Sequence, residues 1–326
     1  MKYLIIDDEK ELYKRMFADL FKPNGYSIEE LPRMKIPAIL KPLYRIQHND
    51  KINRRVWIPG KMIWKPFYQL HKYDFNDDEQ YCIIFLNGTL RYHFSSKYLK
   101  SLKKKHNNIK LVMILYDSYS NPSAQRSISM VPIFDCVFSF DEKDCQKYGL
   151  ERIYSTFSYP SFVKKDDSIH TDAFFIGYAQ GRLRVLQEVF KRISDKVENA
   201  RFYIAGVPNQ KKKTIKSVEY NKKMTYSEEL QMAYNTDCIV EVLRRGQSGV
   251  TLRTCEAVAF NKKLLTNNAS IKEMPFYDSR FISVFDNPED IDVSFIKRHI
   301  NVNYANSDFF SPLRIIKRLE KKYSKA

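Results

Sequence analysis

Residues 237–268 read DCIVEVLRRGQSGVTLRTCEAVAFNKKLLTNN, and this stretch gives the clearest indication of the fold. The apolar run DCIVEVL (237–243) predicts a buried strand, and TLRTCEAVAFN (251–261) predicts a helix. A short polar loop with two glycines joins them, and KLLTNN (263–268) predicts the next strand. A strand, a loop, a helix and a further strand in this order form the repeating unit of a parallel α/β sheet. The stretch therefore predicts an α/β domain.

The loop between this strand and helix is a candidate anion site. Gly246, Ser248 and Gly249 let the backbone approach a ligand closely, and the first N–H groups of the helix are free to donate to it. Such a site suits a diphosphate. Arg253 lies near the helix start and adds positive charge, and Glu256 follows about one and a half turns into the helix. The alternative is that the glycines only make a tight turn and that Glu256 is solvated.

Strand and helix patterns extend over the whole chain and fall into two series. Further strands are predicted at 2–7, 81–87, 110–117, 136–140, 173–178, 200–207 and 280–285. These runs are rich in Ile, Val and Phe, as in parallel strands that helices cover on both faces. A polar connector, SYPSFVKKDDSIHTDA, separates the two series. We therefore expect an N-terminal domain over 1–160, a second domain over 170–310, and a basic helix over 311–326 that packs on the first domain.

The chain opens MKYLIIDDEKELYKRM, an apolar run that ends in Asp7, Asp8 and Glu9. Phospho-acceptor receiver domains begin in this way, but they need a further aspartate at the end of a third strand. Here Asp50 follows no apolar strand and lies in a cationic stretch. We therefore expect Asp7 and Asp8 to end the first strand, where they interact with the dipole of the next helix. Alternatively, they line the carboxyl end of the sheet.

The charge and cysteine content limit the classes of partner and compartment. The 326 residues carry a formal net charge of +17, which attracts nucleic acid, anionic lipid headgroups or phosphorylated ligands. A lysine-rich surface without a specific partner explains the charge equally well. Five widely spaced cysteines without a CxxC pair imply neither a zinc site nor a disulfide framework. The N-terminus has no signal-peptide pattern and no stretch approaches about 20 apolar residues, so we expect a cytoplasmic protein.

The second half of the chain resembles the donor-nucleotide half of GT-B glycosyltransferases. It is similar in particular to glycosyltransferase-like proteins from bacterial capsule and lipopolysaccharide loci, whose C-terminal halves carry G-x-x-G-x-T-x-R-x-x-E-A followed by K-K-L-L-T-N-N. Here that pattern comprises Gly246, Gly249, Thr251, Arg253, Glu256 and Ala257, followed by residues 262–268. The resemblance implies an α/β fold of two Rossmann-like domains that face each other across a cleft. It also implies a nucleotide-sugar as the donor substrate, Glu256 as a hydrogen-bond partner of the donor ribose, no cofactor, and no metal.

The resemblance assigns donor-site roles outside this loop as well. The stretch DAFFIGYAQGRLRVL matches the start of the second domain, which assigns Gly177 and Arg182 to the donor site. The stretch KKMTYSEEL precedes the donor helix and strand, which assigns Met224 and Tyr226 to the nucleobase. For Tyr226 the alternative is a hydrophobic contact at the start of a helix that Ser227 caps.

Sugar transfer needs a stabilised diphosphate leaving group and a base for the acceptor hydroxyl. Arg182, Arg253 and the glycine loop are candidates for the first role. Asp117, at the end of the strand KLVMILYD, and His93 are candidates for the base. The alternatives are a turn or helix cap for Asp117 and an exposed loop residue for His93. Retaining members carry two glutamates eight residues apart, and Glu241 is out of that register, so the stereochemistry stays open.

Residues 50–73 interleave basic side chains with Trp57, Trp64, Phe67 and Tyr68. This pattern is typical of a surface that docks on an anionic membrane, where the enzyme would meet a lipid-linked or saccharide acceptor. The alternative is a solvated face whose aromatic side chains belong to the core. Two other functions stay open: a GT-B relative that binds a nucleotide-sugar without catalysis, and a nucleic-acid-binding protein. No RNP-like, KH or helix-turn-helix signature is present, so we expect no nucleic-acid partner.

Overall fold

The computed structural model describes residues 1–6, 11–49, 52–53, 56, 58–86, 93–116, 119, 125, 127–244 and 249–323. The chain divides into two compact units. The N-terminal unit comprises Met1–Tyr154 and Ile315–Ala326, and the C-terminal unit comprises Ser155–Arg314. No helix in the described ranges combines the length and the apolar character that crossing a membrane requires.

The elements follow one another as an alternation of strands and helices. The strands are β1 (Lys2–Ile6), β2 (Ser27–Leu31), β3 (Tyr81–Leu86), β4 (Ile109–Leu115), β5 (Cys136–Ser139), β6 (Glu151–Arg152), β7 (Thr171–Tyr178), β8 (Ala200–Ala205), β9 (Val218–Tyr220), β10 (Thr236–Glu241), β11 (Lys263–Thr266) and β12 (Ile282–Val284). The α-helices are α1 (Glu11–Met16), α2 (Lys41–Gln47), α3 (Gln69–Lys72), α4 (Ser96–Lys105), α5 (Glu142–Tyr148), α6 (Leu183–Ser194), α7 (Tyr226–Tyr234), α8 (Leu252–Ala259), α9 (Val293–Lys297) and α10 (Leu313–Tyr323). Single turns of 3-10 helix include Ala38–Leu40, and a longer one spans Lys61–Phe67.

The N-terminal unit contains a six-stranded sheet in the order β2-β1-β3-β4-β5-β6, and every neighbouring pair is parallel. All six residues of β3 are buried, as are five residues in succession in β4, because helices cover both faces of the sheet. This burial explains why these strands read as continuous apolar runs. The edge strands β2 and β6 were not predicted, since SIEEL is mostly polar and β6 has only two residues.

The C-terminal unit contains a second six-stranded parallel sheet in the order β12-β11-β10-β7-β8-β9. Numbered within this unit alone, the order is 6-5-4-1-2-3, which is the strand order of nucleotide-binding Rossmann domains. The prediction of an α/β fold with two Rossmann-like domains is therefore confirmed. The order reverses between β7 and β10, which makes this pair the switch point of the sheet.

Helices of the C-terminal unit form where the sequence pattern requires them. The α6 helix buries Leu186, Val189, Phe190 and Ile193, which recur at helical spacing and pack on the sheet. The α7 helix begins with a capping box. The Thr225 hydroxyl accepts from the Glu228 N–H, and the Glu228 carboxylate accepts from the Thr225 N–H. The N-cap is thus Thr225, two residues before the Ser227 that the sequence suggested as an alternative.

The C-terminal helix α10 packs on the N-terminal unit. Arg318 donates to the Arg152 carbonyl at 2.7 Å, and its guanidinium and the Lys322 ammonium both bind the Glu151 carboxylate. The first unit ends at Tyr154 and the second begins at Ser155, a few residues before the polar connector in the sequence. Within the connector, the Asp166 N–H donates to the Asn235 side chain at 2.7 Å, which fixes it on the C-terminal unit.

Candidate functional site

A cavity of about 630 Å³ opens in the C-terminal unit at the carboxyl ends of its central strands. Gly177 and Tyr178 from β7, Ala205 from β8 and Glu241 from β10 line it. Open α/β sheets bind ligands outside the carboxyl ends of the strands at the switch point, and β7 and β10 form that point here. The cavity therefore lies where a Rossmann domain binds a nucleotide.

The wall of this cavity is positively charged. Five cationic side chains and two carboxylates line it, namely Arg182, Lys222, Lys223, Arg244, Arg253, Glu229 and Glu241. The Lys222 ammonium is paired with Glu219 at 3.1 Å on the protein surface. The remaining excess of positive charge favours an anionic ligand.

Arg182 connects the two strands of the switch point. Its Nη2 and Nε donate to the Tyr178 carbonyl at the end of β7, at 3.0 and 3.2 Å, and its Nη1 donates to the Val242 carbonyl just after β10. Carbonyl acceptors hold the guanidinium in place without neutralising its charge. Burial lowers the pKa of Arg182, and Arg244 nearby lowers it further, but an arginine stays protonated at neutral pH.

Gly177 provides the room that Arg182 needs. A Cβ at this position would lie 3.2 Å from the Phe175 ring and 3.3 Å from Arg182 Nη2, both closer than ordinary van der Waals contact. The absence of a side chain at Gly177 therefore lets the guanidinium lie against the β7 backbone, close to the cavity.

The N-terminus of α8 also faces the cavity. Thr251 caps this helix, since its hydroxyl accepts from the Arg253 N–H at 3.1 Å, and Thr251, Leu252 and Arg253 all line the cavity. The positive end of the helix dipole and the Arg253 guanidinium thus add to the charge of Arg182. This arrangement is suited to the phosphates of a ligand.

Glu241 holds the elements around the cavity together. Its buried carboxylate accepts hydrogen bonds from the hydroxyls of Thr254 at 2.8 Å and Thr266 at 2.5 Å, and from the Thr251 hydroxyl. These partners belong to α8, β11 and the N-cap of α8. Glu241 is therefore a positioning residue that fixes the start of α8 against the end of β10. This role does not depend on the spacing between Glu241 and a second glutamate.

Two asparagines after β11 fix both ends of the glycine-containing loop. The Asn267 side chain accepts from the Leu243 N–H at 2.5 Å, before the loop, and the Asn268 side chain donates to the Gly249 carbonyl at 2.9 Å, after it. Asn268 is buried and receives a further bond from Ser270 at 2.7 Å. The tail of the KKLLTNN sequence thus has a structural task at the cavity.

Glu256 is fully buried on α8 and is not among the residues that line the cavity. Arg253 Nη2 lies 2.7 Å from its Oε1, yet neither carboxyl oxygen accepts a hydrogen bond from the described residues. Arg253 Nη2 also lies 3.8 Å from the Glu229 carboxylate, so the guanidinium is shared. Burial outweighs this attraction and raises the pKa of Glu256 to about 8.

The two residues assigned to the nucleobase differ in position. Met224 lines the cavity together with Tyr203 and Gly206. Tyr226 is the first residue of α7 and does not line the cavity, and burial next to Glu256 raises the pKa of its hydroxyl. Of the two, only Met224 can contact a ligand in the cavity directly.

Several predicted site residues lie outside the described residues, namely Asp117, Gly246 and Ser248. Gly249 is described but is not among the residues that line the cavity, and its φ of +94° is the left-handed conformation that favours glycine. Among the predicted donor-site residues, the cavity thus brings together Gly177, Arg182, Met224, Thr251 and Arg253.

His93 lies in the N-terminal unit, within an aromatic cluster. Its ring stacks on His48 with centroids 4.9 Å apart, and its Nδ1 lies 2.7 Å from the Tyr44 hydroxyl. Burial lowers the pKa of His93 well below its ordinary value, and Arg33 nearby lowers it further. The ring is therefore neutral at physiological pH. It is not the exposed loop histidine that the alternative interpretation described.

One group of side chains in the described ranges has the spacing of a metal site. It comprises His170, Asp172 and Asp237, at the amino ends of β7 and β10 and therefore at the opposite edge of the sheet from the cavity. His170 Nε2 pairs with Asp237 at 3.2 Å, and Lys165 and Lys262 line the same depression. The adjacent lysines fit a network of ion pairs.

Sequence reasoning did not find Glu241 as a positioning residue, nor Lys222 and Lys223 at the cavity. The motif KKLLTNN is part of the resemblance, and by itself it indicates no role for Asn268. One signal was available, because Glu241 is a carboxylate that directly follows the apolar residues Cys238, Ile239 and Val240. Such a residue needs hydrogen-bond donors when it is buried.

Comparisons with known proteins agree with this geometry at the level of the fold. No family model and no curated protein sequence matches the chain. Among solved structures, an alpha-glucosyltransferase in complex with UDP-glucose and DNA containing an abasic site matches with a TM-score of 0.59 and 12% identity, over 100% of both chains.

Two further structures match over nearly their full length. UDP-GlcNAc 2-epimerase from Neisseria meningitidis bound to UDP-GlcNAc has a TM-score of 0.53 and 12% identity, over 99% of this chain and 100% of that one. The glycotransferase of kitacinnamycin has a TM-score of 0.50 and 8% identity, over 98% of each chain. Two six-stranded parallel sheets with flanking helices, matched in this way, show that the chain has the two-domain α/β fold of GT-B glycosyltransferase-like proteins.

Proposed function

We propose that the protein is a glycosyltransferase that moves a sugar from a nucleotide-sugar to a saccharide or lipid-linked acceptor, in the cytoplasm and in the synthesis of surface polysaccharide. The observation that carries the proposal is the Arg182 guanidinium, held by two backbone carbonyls in a positively charged cavity at the switch point of the sheet. The polysaccharide context is supported by the sequence resemblance, and the donor class by the cavity.

The charges around the cavity suit the departure of a nucleoside diphosphate. Negative charge builds up on the leaving phosphate as the bond to the sugar breaks, and fixed positive groups stabilise it without reorganising. Arg182 and Arg253 are placed for this role, and the N-terminus of α8 adds backbone N–H groups and the helix dipole. We therefore propose that the protein itself supplies the charge that assists departure, and that the reaction needs no metal.

The nucleoside would occupy the part of the cavity between β8 and α7. Tyr203, Gly206 and Met224 line that part, and they offer an aromatic face, an exposed backbone and a flexible apolar side chain. Gly206 has a φ of +71°, and a Cβ there would lie 3.2 Å from the Tyr178 ring. We propose that the backbone of residues 221–224 reads the edge of the base, and that Met224 packs on its face.

Glu256 has a different place in this proposal from the one that the resemblance implied. It lies beside Arg253 and not on the cavity wall, so contact with a ribose would require Arg253 to leave it. We propose that Arg253 moves toward the phosphates when the donor binds. We assign the base that deprotonates the acceptor to the N-terminal unit, where Asp117 and the neutral His93 are the candidates.

A thermal-shift panel of UDP-, GDP-, CMP- and dTDP-sugars tests the donor class. A ligand that binds only the folded protein at 100 times its dissociation constant adds about 2.7 kcal/mol to the free energy of unfolding, which is a shift of several degrees. We expect a shift with one nucleotide class and with the corresponding free nucleotide, which is CMP for CMP-sugars and a nucleoside diphosphate for the other three classes. If none of the four classes shifts the melting temperature, the nucleotide-sugar proposal is wrong.

The products then distinguish the possible reactions of a bound donor. Incubation of the stabilising donor with a bacterial lipid extract, with EDTA present, should release the nucleoside diphosphate and label the lipid or saccharide fraction with the sugar. An epimerase would instead convert the donor to an epimeric nucleotide-sugar without an acceptor. Donor binding with neither product would indicate a relative that binds nucleotide-sugars without catalysis.

A further inference from the structure

The N-terminal unit exposes an unusual concentration of apolar side chains. Twelve large hydrophobic residues are exposed among those the structure describes, and seven of them fall between positions 39 and 63. They are Ile39, Leu43, Ile46, Ile52, Val56, Met62 and Ile63. A soluble surface rarely leaves so many aliphatic side chains in water within so short a stretch, and such patches mark interaction sites.

Three of these residues form a stripe along one helical stretch. The 3-10 turn Ala38–Leu40 runs directly into α2, and Ile39, Leu43 and Ile46 follow one another at intervals of four and three residues. Residues at these intervals share one face of a helix. Ile39 is 86%, Leu43 54% and Ile46 59% exposed, so the face points into solvent.

The other face of the same stretch packs inward. Leu40 and Tyr44 pack against the hydrophobic core of the unit, and Gln47 is buried. The stretch thus has apolar residues on both faces, although one face has no core to cover. Core packing explains Leu40 and Tyr44, but it does not explain Leu43 or Ile46.

Hydrogen bonds from buried side chains hold α2 against the neighbouring 3-10 helix. The buried Lys61 ammonium donates to the Gln47 carbonyl at 3.1 Å, to Asn53 Oδ1 at 2.8 Å and to the Ile58 carbonyl at 2.7 Å. The Trp64 indole donates to the Gln47 side chain, and its ring lies 5.2 Å from that of Tyr44. These contacts join α2 to the 3-10 helix Lys61–Phe67, which carries the exposed Met62 and Ile63.

The same contacts revise the sequence interpretation of residues 50–73. The sequence left open whether its aromatic side chains face a membrane or belong to the core. Trp64 and Tyr68 are buried in the core, as the second interpretation predicts, and Trp57 lies outside the described residues. The exposed side chains are aliphatic and begin earlier, at Ile39. The surface and its residues therefore differ from those that the sequence indicated.

The sequence around the stripe is strongly basic. Positions 33–73 contain ten lysines and arginines, and Asp50 is their only acidic residue. Lys41 and Arg45 lie on α2 at one or two residues from the stripe, so they occupy another side of the helix; both are exposed, and within the described ranges neither forms an ion pair. Exposed aliphatic residues flanked by cations combine the two contributions that bind a protein to the surface of an anionic bilayer.

We propose that the stripe Ile39, Leu43 and Ile46, with Lys41 and Arg45 on another exposed side of α2 and Met62 and Ile63 on the adjoining 3-10 helix, is a docking surface for an anionic lipid bilayer. The aliphatic side chains enter the region between headgroups and acyl chains, and the cations bind lipid phosphates. Nucleic acid would use the cations but would leave the aliphatic stripe in water. A second copy of the chain would bring Lys41 and Arg45 of both copies together, because a symmetric interface uses the same patch twice.

Vesicle co-sedimentation of the full chain tests this surface. The probes are vesicles of phosphatidylglycerol mixed with phosphatidylcholine, and vesicles of phosphatidylcholine alone. We expect binding to the anionic vesicles that weakens with salt, and at least tenfold weaker binding of the double variant Leu43→Ser/Ile46→Ser and of Lys41→Glu/Arg45→Glu. Phe162→Ser is the matched control, since Phe162 is a 49% exposed aromatic residue of the C-terminal unit, and its binding should equal that of the wild type.

Three outcomes overturn the proposal. One is equal binding of the wild type and the Leu43→Ser/Ile46→Ser variant to anionic vesicles, or no binding by either. The second is a dimer in size-exclusion chromatography that this variant abolishes, which would assign the surface to a second copy. The third is binding of single-stranded oligonucleotide that Lys41→Glu/Arg45→Glu abolishes, with no vesicle binding. The test is independent of the nucleotide-sugar site, because donor binding by the variants is measured separately in the thermal-shift panel.

Discussion

Arg182 donates from Nη2 to the carbonyl oxygen of Tyr178 at 3.0 Å, and this bond fixes a guanidinium at the carboxyl end of β7. Its Nη1 reaches the Val242 carbonyl beyond β10, so one side chain connects both strands of the switch point. In the described part of the chain no carboxylate forms an ion pair with it, although Glu241 lies near enough to favour its charge. The positive charge is thus placed before any ligand arrives.

Replacing this arginine should weaken donor binding more than it weakens the fold. Arg182→Lys keeps the charge but cannot bridge Tyr178 and Val242, so the charge loses its fixed position. We expect the dissociation constant of the stabilising nucleoside diphosphate to rise at least about tenfold, which corresponds to about 1.4 kcal/mol. Isothermal titration calorimetry measures this change. Arg184→Lys is the control, because Arg184 is exposed and pairs with Glu188 on the surface; equal affinities of the two variants would contradict the role of Arg182.

The hydrogen bond from the Asn268 side chain to the end of the glycine-containing loop leads to a second prediction. Asn268→Ala removes the donor to the Gly249 carbonyl and should cost about 1 kcal/mol of unfolding free energy. It should also weaken nucleotide binding several-fold, because the chain that leads into α8 is no longer held. Asn287→Ala is a matched control, since it removes a capping box elsewhere in the same unit and should lower stability by a similar amount without changing affinity. Chemical denaturation and calorimetry on both variants separate the two effects. Loss of affinity in both variants would mean that destabilisation alone is responsible.

How far the sequence predicts this site depends on the distance along the chain between interacting residues. Arg253 and Thr251 belong to one continuous stretch in which a strand, a loop and a helix follow each other, and local pattern was enough to place them. Glu241 and Thr266 are 25 residues apart and meet only because β10 and β11 are parallel neighbours. Strand order sets such pairs, and a single sequence does not state it.

The same reasoning applies to the fold as a whole. The central strands were predicted because helices bury both of their faces, which forces a continuous apolar run such as YCIIFL. The edge strands β2, β6 and β9 are short and only partly buried, so their sequences carry little signal. In the N-terminal unit, Leu43 and Tyr44 are neighbours on α2, but Leu43 is exposed and Tyr44 is partly buried against the core, and only the packing distinguishes them.

His93 provides a prediction about protonation. Burial lowers its pKa, so the folded protein keeps the ring neutral at pH values where the unfolded chain, with an ordinary value near 6.5, binds a proton. As the pH falls below about 6.5, His93 therefore binds a proton in the unfolded chain before it does so in the folded protein, and the free energy of unfolding decreases. We expect no titration of the His93 ring in NMR spectra between pH 5.5 and 8, a window taken from that ordinary value of about 6.5. In Tyr44→Phe the ring should stay neutral as well, because burial and not the Tyr44 hydroxyl is the main cause; a normal titration in the wild type would show that the ring is solvated.

Glu256 should make the protein less stable as the pH rises. Its pKa is about 8 in the folded protein against an ordinary 4.5, so between these values the folded state keeps a proton that the unfolded state has released. The free energy of unfolding should then fall by up to about 1.4 kcal/mol per pH unit from about pH 5 to 8 because of this group, and level off above. Glu256→Gln replaces the carboxyl by a neutral group of the same shape, so it should remove this slope and be more stable than the wild type at pH 8.

Urea denaturation at half-unit steps from pH 5 to 9 measures the Glu256 effect, and the difference between variant and wild type removes the contributions of all other groups. Glu228→Gln is the control. The capping-box hydrogen bonds from Thr225 lower the pKa of Glu228, so its stabilisation is complete above its ordinary pKa and is lost only at more acidic pH. That variant should therefore be less stable by a constant amount across the window. A parallel pH dependence of Glu256→Gln and the wild type would mean that Arg253 keeps Glu256 ionised in the folded state, with attraction outweighing burial.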